Sequence, residues 1–159
     1  MSLLERITRN IDTRYWNPGT DSFPVKNRYT AGVAGQRFFE ELKNNGKIYG
    51  TYCERCGITY VPARIYCEQC FDRLDHWVNV GLEGTLFSFT VLYKKKNGEP
   101  KETPAIMAAV RIADGLLIHR IEGCSTEELW IGMPVSAELK PTAERKGSIE
   151  DITCFKPKQ

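Results

Sequence analysis

The spacing of apolar residues changes along the chain, and the changes divide it. Leu3, Leu4, Ile7 and Ile11 recur at helical spacing behind Ser2 and Glu5, which are placed as a capping box. A first helix is expected to end near Trp16, where Asn17-Pro18-Gly19 is turn chemistry. Residues 17–34 show no period. Phe38, Phe39 and Leu42 then share one face of a second helix expected over about Ala34–Asn45, and Asn45-Gly46 supplies its stop. A Phe-Phe pair on such a face either docks on its own domain or inserts into a partner, and the sequence supports both.

Beyond Lys47 the period falls to two. Lys47–Tyr52 and Ile58–Val61 read as short strands, and from His76 onward the alternation is all of the β kind. Trp77–Val80 leads into Leu86–Leu92, where Phe87, Phe89 and Val91 alternate as a core face. Pro104 opens Ala105–Ala113, with Ile106, Ala108, Val110 and Ile112 on one side. Asp114-Gly115 signals a two-residue hairpin into Leu116–Glu122. One helical turn is expected over Glu127–Ile131, then strands at Val135–Leu139 and Ile149–Phe155. About five strands with one helical insertion suit a small closed barrel of the OB type, with a sandwich as the alternative. The expected organisation is mainly β with N-terminal helices: a helical segment over 1–46, a zinc ribbon over 47–75 and a five-stranded OB-fold barrel over 76–159.

The ribbon is expected because of its cysteines. Cys53-Glu54-Arg55-Cys56-Gly57 and Cys67-Glu68-Gln69-Cys70 are two Cys-x-x-Cys turns, each aiming two sulfurs at one point. Four thiolates close a tetrahedral shell, which favours structural zinc; a rubredoxin-like iron centre, two disulfides or four free thiols are the alternatives. A segment this short buries too little to fold without a staple, so bound metal would supply most of its stability. His76 lies just beyond a shell that four cysteines already fill, and reads as strand surface. Cys124 and Cys154 read as small buried hydrophobes.

A formal charge of +2 gives no global attraction to nucleic acid or to a membrane. Met1–Asn10 is interrupted by Glu5, Arg6 and Arg9 and lacks the pattern of a secretory signal, and no apolar run approaches the roughly 20 residues of a membrane span. Paired cysteines in that setting point to metal in a reducing cytoplasm.

Catalytic motifs are missing. There is no Gly-x-Ser-x-Gly elbow, no phosphate-binding glycine loop and no close carboxylate pair, and neither His76 nor His119 sits beside a nucleophile. A closed four-cysteine shell leaves no open position for a metal-bound water. The expectation is no catalytic residue and no enzyme activity of the chain alone. Three readings remain: a nucleic-acid module using Phe87, Phe89, Lys94–Lys96 and Lys101; an iron electron carrier; and a scaffold or accessory subunit. The first is opposed by the low charge and by strand phenylalanines that alternate as core.

The order of motifs then carries a resemblance. An aromatic helix leads to Cys-x-x-Cys-Gly, Pro62-Ala63-Arg64 and Cys-x-x-Cys. Trp77, Gly84-Thr85-Leu86-Phe87-Ser88-Phe89-Thr90, the Pro104-led strand and Ile131-Gly132-Met133-Pro134-Val135 follow. Over about Phe38–Lys156 this resembles the DUF35 family of acyl-CoA-associated OB-fold proteins with a rubredoxin-like zinc ribbon. The resemblance implies a non-catalytic partner of a thiolase-fold enzyme (acetyl-CoA acetyltransferase-like), with Cys53, Cys56, Cys67 and Cys70 as structural ligands and CoA or acyl-CoA as a ligand. On charge alone, Arg64, Lys94, Lys95 and Lys96 are candidates for the CoA phosphates, although a lysine run is also what a solvated loop looks like. Phe38 and Phe39 are the candidate partner anchors.

Overall fold

The computed structural model describes residues 14–16, 27–95 and 97–158. The helix expected over the first residues lies outside these, except at its end. There Arg14–Trp16 is not helix but a strand, β1, paired antiparallel with β2, Asn27–Tyr29. Aromatic residues in both segments favour extended backbone, and this local preference was hidden by the helical spacing before it.

Helix α1 spans Gly32–Asn45. Gly46 ends it at φ +62°, and the amides of Gly46 and Lys47 bond back to the carbonyls of Leu42 and Glu41 at 3.2 and 3.3 Å. A left-handed residue with these reversed bonds is the usual helix stop, and glycine adopts it without a Cβ clash. Ala34, Phe38 and Leu42 form the buried stripe. Phe38 and Leu42 belong to the same core as the barrel, together with Ile48 and Val61, so the helix packs on its own chain.

Strands β3 (Tyr49–Cys53), β4 (Ile58–Tyr60) and β5 (His76–Asn79) form a three-stranded antiparallel sheet with β3 in the middle. Five longer strands close the barrel: β6 (Glu83–Lys94), β7 (Pro100–Ile112), β8 (Gly115–Ile121), β9 (Pro134–Leu139) and β10 (Ile152–Pro157). Around the ring the order is β10-β8-β7-β6-β9, and β9 pairs with β10 to complete it. Ile106, Ala108, Val110 and Ile112 of β7 all face inward, as alternation predicts, against Leu117, Ile121, Val135 and Phe155. The helical turn before β9 is a 3-10 turn at Thr126–Glu128. Another, Ile149–Asp151, occupies the start of the strand expected from residue 149.

Strand β6 departs from simple alternation. A bulge between Leu86 and Ser88 shifts the register against β7. One extra residue reverses which face the following side chains take. Leu86 is fully buried and Phe89 and Val91 lean on the core, while Phe87 turns outward and is 43% exposed. Phe87 is therefore not a core residue, contrary to the period-two reading.

The β7–β8 turn lies one residue earlier than the Asp-Gly signal suggests. Ala113 and Asp114 form it, with Ala113 at φ +49°, while Gly115 already pairs with Ile112. Gly115 answers to a distant contact instead. A Cβ there would lie 2.1 Å from the Val61 carbonyl oxygen and 2.6 Å from the Val61 nitrogen. Beside it, the Thr59 amide donates to Asp114 Oδ2 at 2.9 Å. The small sheet thus rests backbone to backbone on one end of the barrel.

Candidate metal centre and its surroundings

Each Cys-x-x-Cys turn is built the same way. In the first, the Gly57 amide donates to the Cys53 carbonyl at 2.8 Å, with Gly57 at φ +68°. In the second, the Phe71 amide donates to the Cys67 carbonyl at 3.0 Å, with Phe71 at φ +60°. The second turn tips a hairpin in which Tyr66 bridges to Arg73 and the Cys67 amide bonds the Asp72 carbonyl at 2.9 Å. Thr51, fully buried in β3, donates through Oγ1 to the Arg64 carbonyl and accepts from the Arg64 amide, both at 2.9 Å. That clamp fixes the segment carrying the second pair of thiols against the strand carrying the first.

The result is one cluster of Cys53, Cys56, Cys67 and Cys70, with the four sulfurs all within 4.8 Å of one another. The Cys53–Cys70 and Cys56–Cys67 sulfurs stand 3.5 and 3.8 Å apart. Four sulfurs about 2.3 Å from one ion at tetrahedral angles lie roughly 3.8 Å from each other, so the donor set and its dimensions fit zinc. Tyr60 and Leu74 line the cluster, and Ile58 packs partly against it.

The thiols are not equivalent. The Tyr60 hydroxyl lies 3.2 Å from Cys67 Sγ, and the Gln69 amide donates to the same sulfur at 3.4 Å. These donors, the tyrosine foremost, favour the thiolate and outweigh burial, holding Cys67 down to about 6. The same contact, with burial, raises the Tyr60 phenol to about 12. At Cys70 the Asp72 backbone amide favours the thiolate, but burial and the neighbouring thiols prevail and push it up to about 12. Crowded thiols resist losing several protons together. A divalent cation among them removes that resistance, so metal binding and deprotonation proceed together. When bound, zinc would supply a fixed crosslink between the two turns. With four thiolate ligands it has no vacant position for catalysis.

The remaining residues singled out in the sequence lie apart. His76 is an exposed β5 residue beside Glu54 and edge-on to Tyr52. His119 points into the barrel, 8% exposed and with Nδ1 unpaired, and burial holds it below its ordinary 6.5. Arg64 pairs with Glu68 and lies over the Tyr60 ring. Lys94 and Lys95 sit at the β6–β7 tip, where Lys95 pairs with Glu99, and Lys96 is outside the described residues. The small sheet meets the opposite end of β7, at the 113–115 turn. Thirteen residues of strand separate the two ends, on the order of 40 Å at 3.3 Å per residue, so Arg64 and the lysines do not form one patch.

Phe38 is 1% exposed, and Phe39 stacks edge-to-face on it at 5.3 Å while leaning on the same core. A partner cannot reach the Phe38 ring in the folded chain, which corrects its reading as a surface anchor. Its spacing was right, but the barrel that covers it is remote in sequence. Spacing and motifs in the sequence single out neither Tyr60 nor Phe71. For Phe71 a signal existed, because it occupies the place that Gly57 holds in the first turn.

Comparison with known proteins agrees with this architecture. Residues 41–75 match the ChsH2 rubredoxin-like zinc ribbon domain, and residues 77–140 match the ChsH2 C-terminal OB-fold domain, together well over half of the 159 residues. A DUF35 domain-containing scaffold protein of Methanocaldococcus jannaschii is 24% identical over 110 residues, 68% of this chain and 78% of that one. A solved DUF35-family protein of unknown function from Sulfolobus solfataricus superposes with a TM-score of 0.63 at 27% identity, covering 80% of this chain and 87% of that one. The Ltp2-ChsH2(DUF35) aldolase shares the fold, with a TM-score of 0.55 at 22% identity over 76% of this chain and 91% of its own. A ribbon of four thiols seated on a five-stranded OB barrel, matched in that order by both ChsH2 domains, identifies the chain as a member of the DUF35 family.

Proposed function

We propose that this chain is a non-catalytic scaffold or accessory subunit that docks a thiolase-fold enzyme acting on acyl-CoA thioesters. The observation that carries the reading is an apolar band on the outside of the barrel. Leu116 and Ile118 of β8 are 42% and 69% exposed. Across β7 the band continues through Ala109 and Arg111, whose guanidinium lies 4.5 Å from the Phe87 ring centre. On the other side of β6, Trp130 and Ile131 are also exposed, at 56% and 59%, in the segment whose Gly132 and Met133 bond to Leu86. Large apolar side chains gathered on one exposed face, with an arginine among them, have the composition of a protein interface. The scaffold description of the Methanocaldococcus relative and the enzyme complex of the ChsH2 structure point to the same use.

The test is co-expression with a thiolase-fold enzyme from the same organism, followed by size-exclusion chromatography. A shared peak that Ile118→Asp and Trp130→Asp abolish, with both proteins still folded, supports the proposal. Separate elution at micromolar concentration, with the enzyme fully active alone, ends it.

Acyl-CoA binding is the finer part of the proposal. Its support is the lysine run at the β6–β7 tip; Arg64 belongs to a different end of the molecule. Calorimetric titration with CoA should show heat that Lys94→Glu/Lys95→Glu removes. An unchanged titration would show that this run is a solvated loop.

A further inference from the structure

The second Cys-x-x-Cys turn keeps a residue that its own backbone disfavours. Phe71 adopts φ +60°, a region that bulky L-residues rarely occupy. The matching position in the first turn is Gly57 at φ +68°, with the same amide-to-cysteine-carbonyl bond. Space does not explain the difference, because a Cβ added at Gly57 would meet nothing within 4 Å. Nor does packing, since Phe71 is 78% exposed, the most exposed large hydrophobic residue among those described. The ring gains little from folding and the backbone is strained to present it. Strain held without benefit to the fold points to a use outside it.

The surroundings indicate what the ring meets. Tyr66, 59% exposed, lies on the same hairpin. The residues that follow Phe71 enter the wall of a cleft of about 500 Å³, lined by Glu54, Arg55, Asp72, Arg73, Asp75 and His76 among others. Arg55 pairs with Asp72 at 3.6 Å and Arg73 with Asp75 at 3.0 Å, so the charges alternate in sign. With Glu54 also in the wall, three carboxylates face two guanidiniums, and such a rim gives no pull on a phosphate backbone or an anionic membrane. It suits another protein's mixed surface, with an aromatic knob beside a polar hollow. With metal bound, the thiol cluster would hold the turn rigid and lower the entropy lost when the knob is received.

We infer that Phe71 is an interface anchor that inserts into an apolar pocket of the partner enzyme, at a second contact separate from the barrel band. This inference rests on the docking function proposed above. It is tested with Phe71→Gly and Phe71→Ala in the full zinc-loaded chain, measuring thermal midpoint, zinc content and affinity for the co-expressed thiolase-fold enzyme. Zinc content should stay at one ion. Phe71→Gly should melt at or above the wild-type temperature because the strain is relieved, while both variants bind the enzyme at least tenfold more weakly. Affinity within threefold of wild type in either variant overturns the inference while leaving the docking function standing. A lower midpoint for Phe71→Gly makes the residue structural and also overturns it. Self-association of the wild type that Phe71→Gly abolishes assigns the pocket to a second copy, again overturning it. If the wild type itself does not bind the enzyme, the docking function fails and the anchor fails with it.

Discussion

Replacing Gly115 with alanine should destabilise the protein, although at an ordinary strand position the same change is stabilising. Gly115 is not among the residues with positive φ, so alanine fits its backbone. At such a site the loss of unfolded-state freedom would favour the folded form by about 0.4–1 kcal/mol. Here the new methyl would sit 2.1 Å from the Val61 oxygen, 2.6 Å from its nitrogen and 2.7 Å from its Cβ. Two of these neighbours are backbone atoms, which cannot rotate aside as a side chain would. Relief requires β4 to lift from the barrel end, stretching the Thr59–Asp114 bond. Forced overpacking costs about 1–3 kcal/mol, contacts this short against backbone lie at the upper end, and after the gain above the net loss should be about 2 kcal/mol. For a chain of this length that lowers the thermal midpoint by roughly 4–8 °C. Differential scanning calorimetry of zinc-loaded protein measures it, with metal content as the control, because the thiol cluster is built within the ribbon and should stay intact. A variant that melts at or above the wild-type temperature would refute the proposed backbone contact.

Purified protein should carry one zinc per chain by elemental analysis, and Cys67→Ser should leave the ribbon largely unfolded, since binding free energy in so small a module is folding free energy. Tyr60→Phe should weaken zinc retention by about 10- to 100-fold in a chelator competition, because the hydroxyl is the principal group stabilising the Cys67 thiolate. Phe38→Ala should cost about 3–5 kcal/mol in denaturant unfolding, as expected of a fully buried aromatic. Asp151 is buried, which alone would raise its carboxyl, but the amides of Lys146, Gly147 and Ser148 at 2.9, 2.7 and 3.2 Å hold it below the ordinary 3.8. Its contribution is therefore complete above that value and is lost as pH falls further; Asp151→Asn should remove about 1.5–3 kcal/mol at neutral pH and flatten the acid limb of an unfolding titration.

Features encoded over a few residues could be read from the sequence. The clustering of the four cysteines, the Gly46 helix stop and the inward face of β7 can each be read from local sequence. Features that depend on a distant partner could not. Nothing near Gly115 announces Val61, and nothing in Phe38-Phe39 announces that a barrel more than forty residues later will cover the first ring. The outward turn of Phe87 depends on a bulge that alternation cannot express, since an extra residue changes the face of everything after it. The buried Asp151 carboxylate gathers amides from a loop that reads only as polar. For the candidate site, the thiol cluster was legible; the tyrosine acting on one thiol and the strained phenylalanine at the tip needed the two turns laid side by side.

The closing of the ring bears on how the protein is made. The barrel is completed by β10, which joins β8 through Phe155 opposite Ile121 and runs antiparallel to β9. During synthesis the thiol ribbon is available to capture its ion long before that strand leaves the ribosome. Until Ile152–Pro157 emerges, β8 and β9 each present an unpaired edge beside strongly apolar residues, the kind of edge that recruits foreign strands. A nascent chain stalled or cut before residue 152 would thus carry a finished ribbon on an open sheet. Such a fragment would hold metal normally and still aggregate, so metal content alone would be a poor assay of whether this protein has matured.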